Sequence, residues 1–306
     1  MAEIDAVRIH FSAQNLLLLN VSLGVIMFGV ALTLTVEDFR RLLRNPRPAL
    51  VGLCAQFLVL PALTVGLVWL VQPSSSIALG MILVAACPGG NISNFMSMNA
   101  GGNAALSVTL TAVATLGAVV LTPFNLSFWG GLYGPAADLM TTVDVSVARV
   151  FRVVILVLGV PLGLGLGVRR AAPRLARRLS RWMQGLSLVL FAGIVLVALR
   201  ANFGALVGTL GGVFDLVLLH NAAALMAGYQ LAAGAGLPRP DRQTLALETG
   251  IQNSGLGLVL IFNFFDGLGG MAVVAGWWGV WHIVSGLALS SYWRLRARPL
   301  FSPQWT

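Results

Sequence analysis

Nine apolar runs, at about 15–35, 48–71, 77–99, 103–122, 148–168, 183–200, 205–234, 243–264 and 270–293, leave this chain few ways to fold. Each is near the roughly 20 residues that a helix needs to cross a bilayer. In hydrocarbon a backbone N–H or C=O finds no water, so a spanning segment must bond internally, as a helix or in a closed barrel. Long apolar runs without strict alternation read as helices. Composition agrees: of 306 residues, 58% are hydrophobic and 9% charged, against about 25% charged in a soluble domain. The sequence predicts an all-α polytopic membrane protein with nine transmembrane helices.

The segments between the runs test that count. "EDFRRLLRNPRP" holds four arginines, "RRAAPRLARRLSR" six, "PRPDR" two and the C-terminal "RLRARP" three. By contrast, "VQPSSS", "NLSFWGGLYGPAADLMTTVD" and "FDGLGG" carry no base, Arg200 stands alone between the sixth and seventh runs, and the three-residue turn 100–102 carries no charge. Outside that short turn, arginine-rich and arginine-poor connections alternate, as nine spans require when cytoplasmic loops hold the positive charge. The N-terminus (1–14) is then expected outside and the tail (294–306) in the cytoplasm. The net charge of +9 reads as this topology bias and predicts no nucleic-acid partner. Cys54 and Cys87 lie in or beside apolar runs, so no disulfide framework is expected. The opening "MAEIDAVRIHFSAQ" carries acids and does not read as a signal peptide.

Two spans are interrupted. "CPGGNISNFMS" breaks the third and "ETGIQNSG" the eighth. Pro88 removes a donor and opposes helix continuation, while Gly89 and Gly90 offer conformational freedom for an unwound turn. Ser93 and Asn94 follow on the restarted half-helix. In the second break Gly250 and Gly255 flank "IQNS", with Glu248 just upstream. A connector at 123–147, an interfacial helix or an ordered loop, divides a first repeat (15–122, four spans) from a second (148–293, five spans). Each repeat carries its interruption in the next-to-last span, and the two interrupted spans point in opposite directions. Broken helices at matching positions mark an inverted repeat with a site at the membrane midplane. Unwound carbonyls there hold a cation, and half-helix N-termini attract an anion.

The plainer reading is that Pro and Gly merely kink membrane helices, where both are common. Two matched breaks rich in Asn, Gln and Ser weigh against it. So does Glu248, since an ionisable residue inside a span is costly and marks function by default. Other polar positions carry less. Gln56 offers a neighbouring helix a hydrogen bond, and Ser107 and Thr111, four apart on one face, more often bond their own backbone. For His220 and His282 a helix–helix hydrogen bond is favoured. Asp266 falls in an outer turn and reads as solvated.

At these residues the chain resembles the bile acid:sodium symporter family, in particular its bacterial members. The likeness runs from "MFGVALTLTVEDFRRLLRNPR" through "AQF", "CPGGNISNFMS", "GNAALSVTLT" and "ETGIQNSGLG" to "WHIVSG". It implies a core domain and a panel domain, two broken helices crossing in the core, and alternating access at the inner membrane. It also implies two co-transported sodium ions behind the crossing. The first would be held by Ser93, Asn94, Ser107, Thr111 and Glu248. The second would use Gln56, Glu248 and Gln252 with the carbonyls of Thr249 and Ile251. The substrate, an organic anion, would lie between core and panel near Asn91, Asn253, Ser254 and His282. Bile acid-like, pantoate-like and 2-oxo acids are candidates. Bacterial relatives typically have ten spans, whereas residues 1–14 cannot form the first of them. Many relatives carry Thr where Asn91 stands and Asn where Ile283 stands.

Three other functions compete. Proton coupling or efflux on the same fold is opposed by the intact sodium ligands. A membrane enzyme using Ser93 or Ser254 with His220 or His282 lacks any diagnostic spacing. A sensor that transports nothing would leave two complete ion sites without a purpose.

Overall fold

A computed structural model of the chain describes residues 2–5, 7–9, 13–35, 37, 40, 43–143, 147–180, 182, 183, 186, 189, 193 and 203–297. The expected span at 183–200 falls almost wholly outside them. Among the described residues the regular structure is helical, apart from two isolated β-bridges. In chain order the helices are α1 (Ala13–Ala31), α2 (Pro46–Val71), α3 (Ser75–Ala86), α4 (Ile92–Asn99), α5 (Ala104–Gly131) and α6 (Gly134–Thr142). They continue with α7 (Val147–Val154 and Val160–Ala171, joined by a π turn) and α8 (Phe203–Gly234). The last three are α9 (Arg239–Gly250), α10 (Ser254–Phe264) and α11 (Gly269–Ala297).

Five of these, α2, α5, α7, α8 and α11, are long and apolar enough to cross a membrane singly. α3 and α9 have 12 residues each, about 18 Å of helix, and fall short of a hydrocarbon core of about 30 Å. α4 adds 8 residues after the first break and α10 adds 11 after the second. The connector expected at 123–147 is mostly helical: α5 runs on past Pro123 to Gly131, and α6 follows.

Prolines shape two other helices. Pro61 has no N–H for the carbonyl of Phe57, four residues earlier, and the helix widens into a π turn over Ala55–Val59. The stranded carbonyl is recovered by Asn125 of α5, whose Nδ2 donates to it at 2.9 Å. Pro161 follows a second π turn, Ile155–Gly159, in the same way. Gln56 sits in the first of these turns.

The broken helices occupy the middle of the molecule. Every residue of α3 from Ser76 to Ala86 is buried, and so is α9 from Gln243 to Gly250. In the interruptions Cys87, Pro88, Gly89, Ile251 and Gln252 are buried too, while Gly90, Asn91 and Asn253 are half-buried; protein burial is the setting in which unwound backbone is tolerated at membrane depth. At one end of the molecule the N-terminal segment meets the arginine-poor turns. Ser76 N–H donates to Asp5 Oδ1 at 2.9 Å, Ile9 N–H to Gly267 O at 2.8 Å and Gly269 N–H to Val7 O at 2.9 Å. At the other end Arg47 reaches Ala235 O at 2.5 Å, and Arg294 reaches Asn99 Oδ1 at 3.1 Å.

Candidate functional site

The two interruptions lie against each other as a short antiparallel bridge, Gly89 opposite Gln252. Gly90 N–H donates to Ile251 O at 2.7 Å, and Asn253 N–H donates to Pro88 O at 2.9 Å. Each break thus supplies the hydrogen bonds that the other lost by leaving the helix. The glycines serve closeness here, not unusual dihedrals: the positive-φ glycines among the described residues are Gly101, Gly236 and Gly267. A Cβ on Gly89 would lie 3.2 Å from Glu248 O, and one on Gly90 would lie 3.1 Å from Gln252 O. Asn221 of α8 steadies the second break from behind. Its Nδ2 donates to Gly250 O at 2.8 Å, and its Oδ1 accepts from Ser285 Oγ at 2.6 Å.

Glu248, 5% exposed, ends the last full turn of α9 and faces α4 and α5. Ser93 Oγ donates to its Oε1 at 2.6 Å, and Thr111 Oγ1 to its Oε2 at 3.0 Å. Ser107 Oγ also contacts Oε1, very closely. The same two α5 hydroxyls face Asn94 Oδ1, Ser107 at 2.9 Å and Thr111 at 3.2 Å. Five oxygen–oxygen contacts therefore draw on three hydroxyl protons, one each from Ser93, Ser107 and Thr111. The cage has more acceptors than donors. A hard cation, which takes oxygen ligands, fits such a surplus. Among the described residues no basic side chain pairs with Glu248.

Gln56 and Gln252 meet beside the bridge, where Gln252 pairs with Gly89. Gln56 Nε2 donates to Gln252 Oε1 at 2.8 Å and to Cys87 O at 3.0 Å. Gln252 Nε2 returns a bond to Gln56 Oε1 at 3.3 Å and donates to Thr249 O at 2.7 Å. The residues expected around a second ion are thus adjacent, but their amides bond one another and the Thr249 carbonyl. Ile251 O accepts the bridge bond from Gly90.

Of the positions expected at the substrate, Asn91 and Asn253 begin the two restarted half-helices. Asn253 Oδ1 caps α10 by accepting from Leu256 N–H at 3.1 Å, while Asn91 makes no capping bond. Ser254 Oγ and His282 Nδ1 are buried without a hydrogen-bond partner. Among the described residues no hydrogen bond joins these four side chains into one cluster. His220 takes its expected helix–helix bond, Nε2 to Thr64 Oγ1 at 2.7 Å. The Thr64 proton goes to Leu60 O, so His220 is the donor. Asp266 is exposed in its turn, and Cys54 and Cys87 are both free thiols.

Crossed half-helices enclosing a buried polar cage, within a bundle of apolar spans, define an integral membrane protein of the transporter class. The chain belongs to the sodium bile acid symporter family, whose model matches residues 20–209. It is 33% identical, over 92% of its length, to an uncharacterized sodium-dependent transporter of Bacillus subtilis, of which it covers 84%. It is also 33% identical to a probable chloroplastic sodium/metabolite cotransporter of Oryza sativa. It is 28% identical to the P3 protein of Bos taurus. The chain spans 65% of the rice protein and 52% of the bovine one. Members of this family are transporters, and the chain is a transporter rather than an enzyme.

Proposed function

We propose that the chain is a sodium-coupled symporter of a small organic anion in a bacterial plasma membrane, with its N-terminus outside and C-terminus cytoplasmic. In this reading nine spans form an inverted repeat, residues 15–122 and 148–293, joined by the connector 123–147. α2, α3 with α4, α5, α8, α9 with α10, and α11 make a core; α1 and α7 belong to a panel. One sodium ion binds Glu248 with Ser93, Asn94, Ser107 and Thr111. A second binds Gln56, Gln252 and Glu248 with the carbonyls of Thr249 and Ile251, once the Gln56–Gln252 amide pair turns outward. The anion binds between core and panel at Asn91, Asn253, Ser254 and His282, before the N-termini of α4 and α10, whose helix dipoles favour negative charge.

The observation that carries this reading is the Glu248 cage, a buried carboxylate ringed by acceptors in excess of protons. The names of the Bacillus and rice relatives support sodium as the coupling ion and a metabolite as cargo. A ligand that binds only the folded state stabilises it by RT ln(1 + [L]/Kd), about 2.7 kcal/mol at a hundred times Kd. Purified protein should therefore melt higher in sodium chloride than in choline chloride. Glu248→Ala should abolish that increment, and sodium-driven uptake with it, while the protein still elutes as a single folded species. A full sodium increment in the mutant would overturn the reading. The same assay, run in sodium across carboxylate and sulfonate metabolites, identifies the anion.

A further inference from the structure

One helical turn from the Glu248 cage, each of the three helices that build it repeats a polar side chain. On α4, Ser93 is followed by Ser97. On α5, Ser107 is preceded by Asn103. On α9, Glu248 is preceded by Thr244 and, a turn further out, by Asp241. Spacings of three and four keep each set on one helical face. In this second tier the start of α5 is joined to α9, Asn103 Nδ2 donating to Asp241 Oδ1 at 2.8 Å and Asn103 N–H to Thr244 Oγ1 at 2.9 Å, while in the turn from α4 the Gly102 N–H donates to the main-chain carbonyl of Ser97 at 2.8 Å. Gly102 is held so close that a Cβ there would lie 2.7 Å from Thr244 Oγ1.

Two features of this tier exceed what a structural clamp needs. Asp241 is a carboxylate only 6% exposed, and among the described residues no arginine or histidine nitrogen pairs with it. Ser97 is fully buried, and its Oγ has no hydrogen-bond partner. A buried acceptor without a partner is costly, and an unpaired carboxylate more so. The tier lies between the cage and the arginine-bearing end of the molecule, where Arg47 grips the turn before α9.

We propose that Ser97, Asn103, Thr244 and Asp241 form a further monovalent-cation station, through which sodium passes between the Glu248 cage and the arginine-bearing face. The proposal rests on sodium binding at Glu248. A departing ion trades the Glu248 oxygens for the Ser97 hydroxyl, then displaces the Asn103 amide from the Asp241 carboxylate. Asp241 stands in the first turn of α9, so its charge also offsets the positive helix end that would oppose a cation there. In the state described here the Asn103–Asp241 bond closes the route beneath the cage.

Stopped-flow tryptophan fluorescence of the purified chain, on mixing with sodium chloride and on dilution from it, tests the station. Ser97→Ala breaks no hydrogen bond, so it should keep its melting temperature and its equilibrium sodium midpoint while slowing both association and release severalfold. Asp241→Asn keeps the shape and removes the charge. It should slow both rates about tenfold, the kinetic effect of losing one charge-assisted contact at the barrier. Unchanged rates in Ser97→Ala, with an intact sodium-dependent rise in melting temperature, overturn the station and leave the Glu248 site standing; this holds even where Asp241→Asn fails to fold. Absence of any sodium response in the unmodified protein would instead remove the Glu248 reading on which the station depends.

Discussion

At the scale of single residues, the orientation of one amide decides how the Glu248 cage works. Asn94 is oriented with Oδ1 toward Ser107 and Thr111. If a cation binds there, those hydroxyl protons would turn away and Oδ1 would become a ligand. With the amide reversed, Nδ2 would instead supply the two missing protons, and no cation would be called for. Asn94→Asp separates the two. If Oδ1 is a ligand, the variant keeps it, adds a negative charge and binds sodium more tightly, so its melting temperature rises more steeply with sodium concentration. If Nδ2 faces the hydroxyls, the variant sets a carboxylate without donors beside Glu248, which destabilises the fold and leaves no sodium gain. Glu248 was legible in the sequence because a carboxylate in an apolar span requires a reason. The contacts of Ser107 and Thr111 with Glu248 were legible only through the family resemblance, not from their own spacing. An isolated membrane hydroxyl usually bonds its own helix, as Thr109 and Thr115 do here, each to the carbonyl four residues earlier. Only the approach of α9 to α5 distinguishes the two kinds.

Among the elements, α9 is the one whose position matters most, because it carries Glu248, and α8 sets that position. Gly228 is the point of closest approach: a Cβ there would lie 2.5 Å from Leu245 O and 2.7 Å from Thr249 Oγ1. Backbone on one side leaves nothing soft to yield, so Gly228→Ala must push α9 away from α8. Overpacking of this kind costs about 1–3 kcal/mol. The shift would also loosen Glu248 against Ser93, Ser107 and Thr111. Gly228→Ala is expected to lower both melting temperature and sodium affinity, whereas Gly66→Ala, with nothing within 4 Å of the added carbon, should change neither. Equal sodium affinity in the two variants would show that α8 does not position the cage. The broken elements themselves were readable, since Pro88 and the Asn- and Gly-rich stretches interrupt otherwise continuous apolar runs. What their glycines are for was misread, because tightness between segments 160 residues apart leaves no local trace. Pro61 was equally visible, but its remedy, the Asn125 side chain on another helix, was not.

For the whole molecule, alternation of arginine among the connections anticipated which ends of the helices gather together. Asp5, Ser76 and Gly267 meet at one end, Arg47 and Ala235 at the other. Charge pattern is a global property that survives ignorance of packing, which is why it was readable. Packing between α1 and its neighbours is a different matter. α1 fits against α7 at Gly165, where a Cβ would lie 2.8 Å from Phe28 O. It also touches α10, which begins at the crossing. Asn20 and Asn263 join those two helices by a reciprocal amide pair, Asn263 Nδ2 to Asn20 Oδ1 at 3.0 Å and Asn20 Nδ2 to Asn263 Oδ1 at 3.5 Å. No periodicity marks either asparagine. Under the proposed cycle α1 belongs to the panel and α10 to the core, so access can alternate only if this pair parts. Two neutral amide bonds contribute about 1–3 kcal/mol together, an equilibrium that differential ligand binding of similar size can tip. Replacing both asparagines with cysteine and oxidising the pair should therefore arrest sodium-driven uptake of whichever anion stabilises the protein, and reduction should restore it. The unmodified chain, carrying Cys54 and Cys87, serves as the control for the oxidant. Full uptake by the cross-linked protein would mean that α1 and α10 travel as one body, and that the division into core and panel lies elsewhere.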